Sequence, residues 1–509
     1  MPLSEVLDQI AKFAEYDSFK EVIAKFVLED KCGTIEEMKT QDIQETLDYN
    51  ELMLLMGLWV KHVDRSRTFP NDQVDVVAGN VRRLLKELHE AFFEGSTPNL
   101  KADLAEIVNY KELFFYAPTH AYDLQYANLV SAKYREDADW VRNFTGLRIE
   151  DLAGYFYYVK RLLTDRLNDT RFVEHATAKG KLVRVFTVDR RRDGALFKIK
   201  GFPEFLEYFA ISRNEIAKGE LLDIGDYNHC RAKPILKLDE NRYFIPSTYH
   251  LAEAMWERFF YQMGKSDYMP TALRHRGDFS ERIVYCYAKS CFPNVYRNLL
   301  VFRNKAESIT DIDVCAIHGE TAVLFMVKSK KLTLLSRKGN IRDVYVNHKG
   351  AILSSFEQGQ LARRHILDKD CFLRCGDQDV GDAVKEVKEI LIYTVVLDDY
   401  PFLNFQSNVF LKHSPDAPIS ISIFDLEVIL NYVTGPDDFV QYTRLRQSLM
   451  GKMQMASEMS FLEFYRTHRE ERFDNYDLVQ LDNDWGQSLD ADFYEKLLRG
   501  QTKAMVLPI

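Results

Sequence analysis

The sequence predicts an α+β protein, helical in its N-terminal region and built around a mixed sheet flanked by helices in its C-terminal half. Three observations carry that prediction. Apolar residues recur at three- and four-residue steps as far as about residue 170. From Asn294 to Lys328 they give way to short runs rich in β-branched and apolar residues, separated by turn residues. Helical spacing then returns and is interrupted by one further apolar, β-branched run, Val387 to Leu397.

In chain order, Leu52 to Val63 is apolar enough to be the central helix of a bundle. Val74, Val77, Val81, Leu84, Leu88 and Phe92 form the buried stripe of an amphipathic helix. A further helix, Ile149 to Leu167, carries Tyr155, Phe156, Tyr157 and Tyr158, which serve either the core or a base-stacking surface. Beyond residue 170, LVRVFTV and ALFKIK flank Asp193-Gly194 as a hairpin, with Arg190, Arg191 and Arg192 at its tip as solvated charge or phosphate contacts. PILKL and YFIP make a second hairpin, and YHLAEAMWERFFYQM a helix. GDFSERIVYCYAKSCF is a helix with Ile283, Val284, Tyr287 and Ala288 on one face; NVYRNLLVF, SITDIDVCAIHG and ETAVLFMVKSKKL follow as strands. AILSSFEQGQLARRHIL, ISIFDLEVILNYV and DDFVQYTRLRQSLM are helices, with Gly435-Pro436 punctuating the last two. Six aspartates and no basic residue lie between Phe473 and Tyr494, a solvated acidic tail or a mimic of phosphates. This divides the chain into a helical domain at 1–170, a small α+β domain with two hairpins at 171–270, a sheet domain at 271–450 and a helical, acidic tail at 451–509.

Composition limits the function. With 46% hydrophobic and 28% charged residues, the 509-residue chain is long enough for several well-filled cores. A net charge of −10 excludes polyanion binding by the whole surface, so a nucleic-acid site must be a local basic patch. Seven scattered cysteines include no Cys-x-x-Cys; Cys371 and Cys375 lack a second pair or histidines to complete a zinc site. Reduced thiols, an acidic amphipathic N-terminus and no apolar run near the ~20 residues of a membrane span predict a soluble, cytoplasmic protein.

The chemistry lies where polar groups interrupt the strands. Asp313 follows Ile312 within one strand, and Lys328 ends the next. A strand carboxylate can hold a hard divalent cation, and a strand-end lysine can orient or activate the attacking water. His318 and His348 are read as turn residues. Between Lys328 and Arg364 nine Lys or Arg stand against Asp343 and Glu357, which makes this stretch the expected face for phosphates. Lys330, Lys331, Arg337, Lys338 and Arg342 are its nucleic-acid-binding candidates.

This layout resembles the restriction-endonuclease-like PD-(D/E)xK nuclease superfamily, and in particular its Mrr-like prokaryotic members, whose closing strand runs into a segment similar to Lys328-Ser329-Lys330-Lys331-Leu332-Thr333. The resemblance covers Thr271 to Asn431, about a third of the chain. It implies a restriction-endonuclease-like fold for 271–450. It also implies Asp313 as the central ligand of Mg²⁺ (or Mn²⁺), Glu281 as the helix carboxylate and second metal residue, Lys328 as the catalytic lysine and Gln358 as the glutamine of the following helix. One position departs: two residues before Lys328 the superfamily carries Glu, Asp or Gln, and this chain has Met326. A thioether is a poor partner for magnesium. Two functions are therefore expected: an Mg²⁺-dependent endonuclease in antiviral defence or genome maintenance, or a degenerate nuclease-like domain that binds nucleic acid or a protein without cutting. The implied partners are nucleic acid, DNA ahead of RNA, and a protein partner or second copy, with no membrane.

Overall fold

A computed structural model describes residues 2–30, 47–91, 115–116, 121–213, 215–304, 307–338, 340–398, 400, 419–450, 452–455, 457–471, 473, 475–481 and 485–503. They form two compact units, the first ending at Ala272 and the second running on from Leu273. Among the described residues no helix is long and apolar enough to cross a membrane.

The first unit is helical up to Ala178. Its N-terminal helices α1 (Leu3–Ala14) and α2 (Phe19–Glu29) pack with α3 (Tyr49–His62) and α4 (Val74–Ala91). Asp48 starts α3 with a capping box: its carboxylate accepts the Asn50 N–H, and Glu51 accepts the Asp48 N–H. Every residue of α3 from Glu51 to Val60 is buried, as befits a central helix. Helix α4 buries Val74, Val77, Val81, Leu84 and Leu88, the stripe its periodicity predicts; Phe92 lies outside the described residues. In α5 (Ile149–Asn168), Tyr155 and Phe156 are buried, so the core claims them, whereas Tyr158 is 44% exposed.

After α5 comes a four-stranded sheet of order β1-β4-β3-β2: β1 (Thr187–Asp189), β2 (Ala210–Ile211), β3 (Ile235–Asp239) and β4 (Arg242–Phe244). The second expected hairpin is present as antiparallel β3 and β4. The first is not: Leu182–Arg184 and Leu196–Lys198 are short 3-10 turns, and β1 pairs with β4 instead. The cause is Asp193. Its carboxylate accepts the Asp189 N–H at 2.8 Å and both its oxygens meet the Arg166 guanidinium of α5 at 2.6 Å, which folds the turn inward. Arg192 is likewise engaged, donating to the Thr187 carbonyl at 2.6 Å. One apolar core extends from Val6 through α3 and α4 to Phe244.

The second unit is organised on a seven-stranded mixed sheet, its strands lying in the order Ile419–Ser422, Glu389–Val396, Thr321–Lys328, Ser308–His318, Asn294–Phe302, Phe372–Cys375 and Gln378–Asp379. Helix α6 (Met269–Cys291) leads into β5 (Asn294–Phe302), β6 (Ser308–His318) and β7 (Thr321–Lys328), a three-stranded antiparallel meander. The chain then crosses through α7 (Ile341–His348), a π-helical turn at Lys349–Leu353, and α8 (Ser354–Asp368). Strands β8 (Phe372–Cys375) and β9 (Gln378–Asp379) extend the β5 edge, and β10 (Glu389–Val396) returns parallel to β7. Helix α8 lies on the sheet through Phe356, Ala362 and Ile366, with Met326 and Ile392 beneath it. A side chain at Gly359 would put its Cβ 2.9 Å from Ile392 Cγ2 and 3.2 Å from Met326 Cγ, so only glycine permits this approach.

Two expectations for the C-terminal part are corrected. The start of ISIFDLEVILNYV is not helical: Ile419–Ser422 is strand β11, parallel to β10, and α9 (Ile423–Tyr432) begins only at the Ser422 cap. Four alternating residues fit the free edge of β10 better than a further helical turn. The acidic segment is not wholly a solvated tail. Its second half forms α10 (Gln487–Leu498), which buries Leu489, Ala491, Phe493 and Leu497, and Asp492 accepts the Tyr432 hydroxyl at 2.7 Å. The stretch DDFVQYTRLRQSLM is helical over Pro436–Ser448, as its spacing predicts.

Candidate active site

Asp313 and Lys328 stand on adjacent antiparallel strands, β6 and β7. The β6–β7 register pairs Val314 with Phe325 and Cys315 with Leu324. Met326 packs beneath α8, and Gln358 of α8 reaches both Lys328 and Asp311, so these side chains lie on the face that α8 covers. Asp313 is 7% exposed, and its Oδ2 accepts the Val327 N–H at 2.6 Å. Gln358 on α8 closes the group: its Oε1 accepts from Lys328 Nζ at 3.4 Å, and its Nε2 donates to Asp311 Oδ1 at 2.6 Å. Glutamine has both a donor and an acceptor, so one side chain spans the lysine and the carboxylate.

The electrostatics are those of crowded acids. Burial above all, then the charges of Glu281 and Asp311, push the Asp313 pKa up to about 6, against Lys328 and the Val327 N–H, which act to lower it. Burial also raises the Glu281 carboxyl, with Asp278 and Asp311 adding to it and Arg297 opposing. Glu281 lies on α6 and is held by Arg297 of β5, whose Nη2 is 3.3 Å from its Oε2. The structure thus brings Glu281, Asp311, Asp313 and Lys328 within electrostatic reach of one another. Opposite Asp313, β5 is kinked: Asn298, between the pairs Arg297–Val314 and Leu299–Ile312, has φ of +54°. Asparagine tolerates that left-handed conformation better than most residues.

The exit of β7 is fixed by three successive carbonyls. That of Lys328 accepts the Leu397 N–H at 3.0 Å, that of Ser329 accepts Arg276 Nε at 2.9 Å, and that of Lys330 accepts the Tyr400 hydroxyl at 2.9 Å. Arg276 in turn pairs with Asp398 in a bridge 2% and 8% exposed. The backbone that carries Lys328 is therefore tied to both α6 and the segment after β10.

No family model, curated protein or solved structure matches the chain.

Among the described residues no three His, Cys, Asp or Glu side chains cluster to hold a metal ion. Mg²⁺ does not need three, since it is commonly held through one or two carboxylates and keeps several waters. The donors here are hard oxygens: Asp313, Asp311 and the carbonyls at the end of β7. Burial is what chiefly raises Asp313, and a divalent cation would favour its ionised form and offset the nearby Glu281 and Asp311, so these residues fit Mg²⁺ or Mn²⁺. Glu281, bound to Arg297, fits an outer role through water better than direct ligation. Met326 is fully buried under α8 in the sheet core, where its sulfur is a packing group.

The basic candidates are dispersed in role. Lys330 packs on Gly350 and donates to the Val346 carbonyl at 3.3 Å. Lys331 and Lys338 are half-buried, Arg342 is exposed on α7, and the Arg337 side chain lies outside the described residues. Lys349 and Arg364 are also exposed on this segment. His348 is no turn residue: it ends α7 almost fully buried, and burial lowers its pKa to about 4. Asp311, Arg276, Arg297 and Asp398 are not among the sequence candidates. Asp311 carried a usable signal, because Asp-x-Asp in a strand places both carboxylates on one face.

Proposed function

We propose that the chain is a metal-dependent nuclease that hydrolyses phosphodiester bonds of nucleic acid, DNA ahead of RNA. The observation that carries this reading is the meeting of Asp313, Lys328 and Gln358 across two adjacent strands and the crossover helix, with Glu281 electrically coupled to them. The mixed sheet flanked by helices supports the resemblance to PD-(D/E)xK nucleases on which the roles rest. A divalent cation bound here would supply charge to the phosphoryl oxygens and acidify a water. The protein's own residues do the rest. Asp313 offers the carboxylate, Gln358 holds the Lys328 ammonium by one end and Asp311 by the other, and Lys328 positions the attacking water. Exposed Arg342, Lys349 and Arg364 draw the phosphate backbone to this side of the unit. The proposal extends to a role in antiviral defence or genome maintenance and to a cytoplasmic setting, where free thiols like the six described cysteines persist.

The test is cleavage of labelled DNA and RNA with Mg²⁺, Mn²⁺ or EDTA by wild type, Asp313→Ala and Lys328→Ala. Metal-dependent cleavage that falls about a hundredfold or more in both variants is expected. Cleavage by Asp313→Ala at the wild-type rate would refute the assignment.

A second reading has its own observation. Met326 fills core where the superfamily carries a carboxylate, which favours a module that binds nucleic acid or a protein without cutting. Nucleic-acid binding by a folded wild type that cleaves no substrate under any metal would favour it.

A further inference from the structure

The first unit has a cleft of about 550 Å³ whose lining is almost entirely polar: Val63, Asp64, Arg65, Ser212, Arg213, Lys237, Asp239 and Glu240. Three elements build it. The turn after α3 supplies Arg65 and is pinned by the Asp64 N–H donating to the Glu15 carbonyl at 2.8 Å. The segment leaving β2 supplies Arg213, and the β3–β4 hairpin supplies the opposite wall.

Most charges in the cleft are already answered. Asp64 accepts from the Ser66 N–H and hydroxyl at 2.9 and 2.7 Å. Asp239 accepts the Asn241 N–H at 2.9 Å and Arg242 Nε at 2.7 Å. Lys237 lies between Glu207 at 2.8 Å and Glu240 at 3.5 Å. Two cations remain. Arg65 is exposed and, among the described residues, makes no hydrogen bond or ion pair. Arg213 has a side chain only 11% exposed, stacked near the Trp59 ring at 5.3 Å, with Nη2 2.8 Å from Asp17. Its Nε and Nη1 are buried and have no hydrogen-bond partner. Burial lowers its pKa, and the like charges of Arg65 and Arg242 add to that effect.

Asp17 answers one nitrogen of Arg213 and leaves Nε and Nη1 without acceptors beside a second, free guanidinium, an arrangement that a further anion would relieve. We propose that this cleft binds the phosphoryl group of a phosphorylated small molecule through Arg65 and Arg213. Guanidinium forks match phosphate oxygens in pairs, and two of them match a dianion better than a single carboxylate. The volume suits a small molecule, and among the described residues no aromatic side chain lines the cleft. Recognition therefore rests on the phosphoryl group, with little preference for any base attached to it. The site does not depend on the nuclease reading and needs no divalent ion.

The experiment is isothermal titration of the full chain in EDTA with inorganic pyrophosphate, and with adenosine and guanosine monophosphates as further arms. Wild type, Arg65→Ala and Arg213→Lys are compared. Arg65 is on the surface, so its removal leaves the fold in place. Arg213→Lys keeps the charge beside Asp17 and loses the fork. Saturable binding by wild type, weakened about tenfold or more in both variants, supports the site. Similar affinity for the two nucleotides supports phosphoryl recognition. No saturable binding by wild type, or equal affinity in wild type and Arg65→Ala, overturns the proposal.

Discussion

Replacing Asp313 by Asn should stabilise the chain at pH 8 while ending metal-dependent cleavage. The carboxyl's pKa in the fold is about 6, against an ordinary value of 3.8, chiefly because it is buried. The native state therefore holds this proton more tightly than the unfolded chain does. The resulting stability is complete below about pH 3.8 and is lost as the pH rises through about 6, above which the ionised group weighs against folding. Each pKa unit corresponds to about 1.4 kcal/mol, so the shift sets an upper bound of about 3 kcal/mol. Asn keeps an acceptor for the Val327 N–H but gives up attraction to Lys328. The expected gain at pH 8 is thus about 1–2 kcal/mol. Urea unfolding in EDTA at pH 8, 5 and 4 measures it: the variant's advantage should be greatest at pH 8 and gone by pH 4. Added Mg²⁺ should raise the wild-type midpoint and leave that of Asp313→Asn unmoved. A variant no more stable than wild type at pH 8 would refute the argument, since the burial of Asp313 would then carry no cost for its ionised form.

Three other outcomes are expected. Reversing Arg342, Lys349 and Arg364 to Glu should weaken nucleic-acid binding and lower the salt slope by about 2–3, as counterion release at three phosphates requires; an unchanged slope in gel-shift titrations places the contact face elsewhere. Met326→Glu introduces a charge beneath α8 and should cost several kcal/mol in EDTA, on the order of what an unpaired buried carboxylate costs. If the new carboxylate reaches a cation, Mg²⁺ should restore part of that loss and raise the cleavage rate, whereas unfolding midpoints equal to wild type would show that Met326 is not packed as described. Arg276→Ala removes the buried bridge to Asp398 and the bond to the Ser329 carbonyl and should destabilise by about 3–5 kcal/mol in urea unfolding, with Arg276→Met plus Asp398→Leu recovering much of it; a loss below about 1 kcal/mol would mean that the bridge does not hold the exit of β7.

What the sequence disclosed, and what it hid, follows sequence separation. NVYRNLLVF is β5 from end to end, and β6 and β7 pair through a two-residue turn at Gly319, so local pattern was enough to place them. The misread stretches are those decided by distant partners. LVRVFTV and ALFKIK look like hairpin arms, yet Arg166, 27 residues before Asp193, draws the turn inward. Ile419–Ser422 becomes a strand only because β10 offers an edge. The same divide runs through the site: Asp313 and Lys328 belong to one hairpin, whereas Arg276 and Asp398 are 122 residues apart and no motif joins them.

Met326 shows the limit most sharply. Strand periodicity places it on the same face as Lys328, and the β6–β7 pairing ends at Val314–Phe325, one residue short of Asp313. Parity does not give depth. Along β7 the covered face changes from core to rim within two residues: Met326 is fully buried against α8 at Gly359, and Lys328 is half-exposed and held by Gln358 one residue earlier on the same helix. A side chain on the correct face can thus be packing at one position and chemistry at the next. The consequence of a thioether at 326 therefore depends on the oxygens nearby, namely the buried Asp313, the exposed Asp311 and the carbonyls ending β7. If those suffice for a cation, Met326 lowers the number of ligands without closing the site, and cleavage by wild type should need a higher Mg²⁺ concentration for its half-maximal rate than cleavage by Met326→Glu.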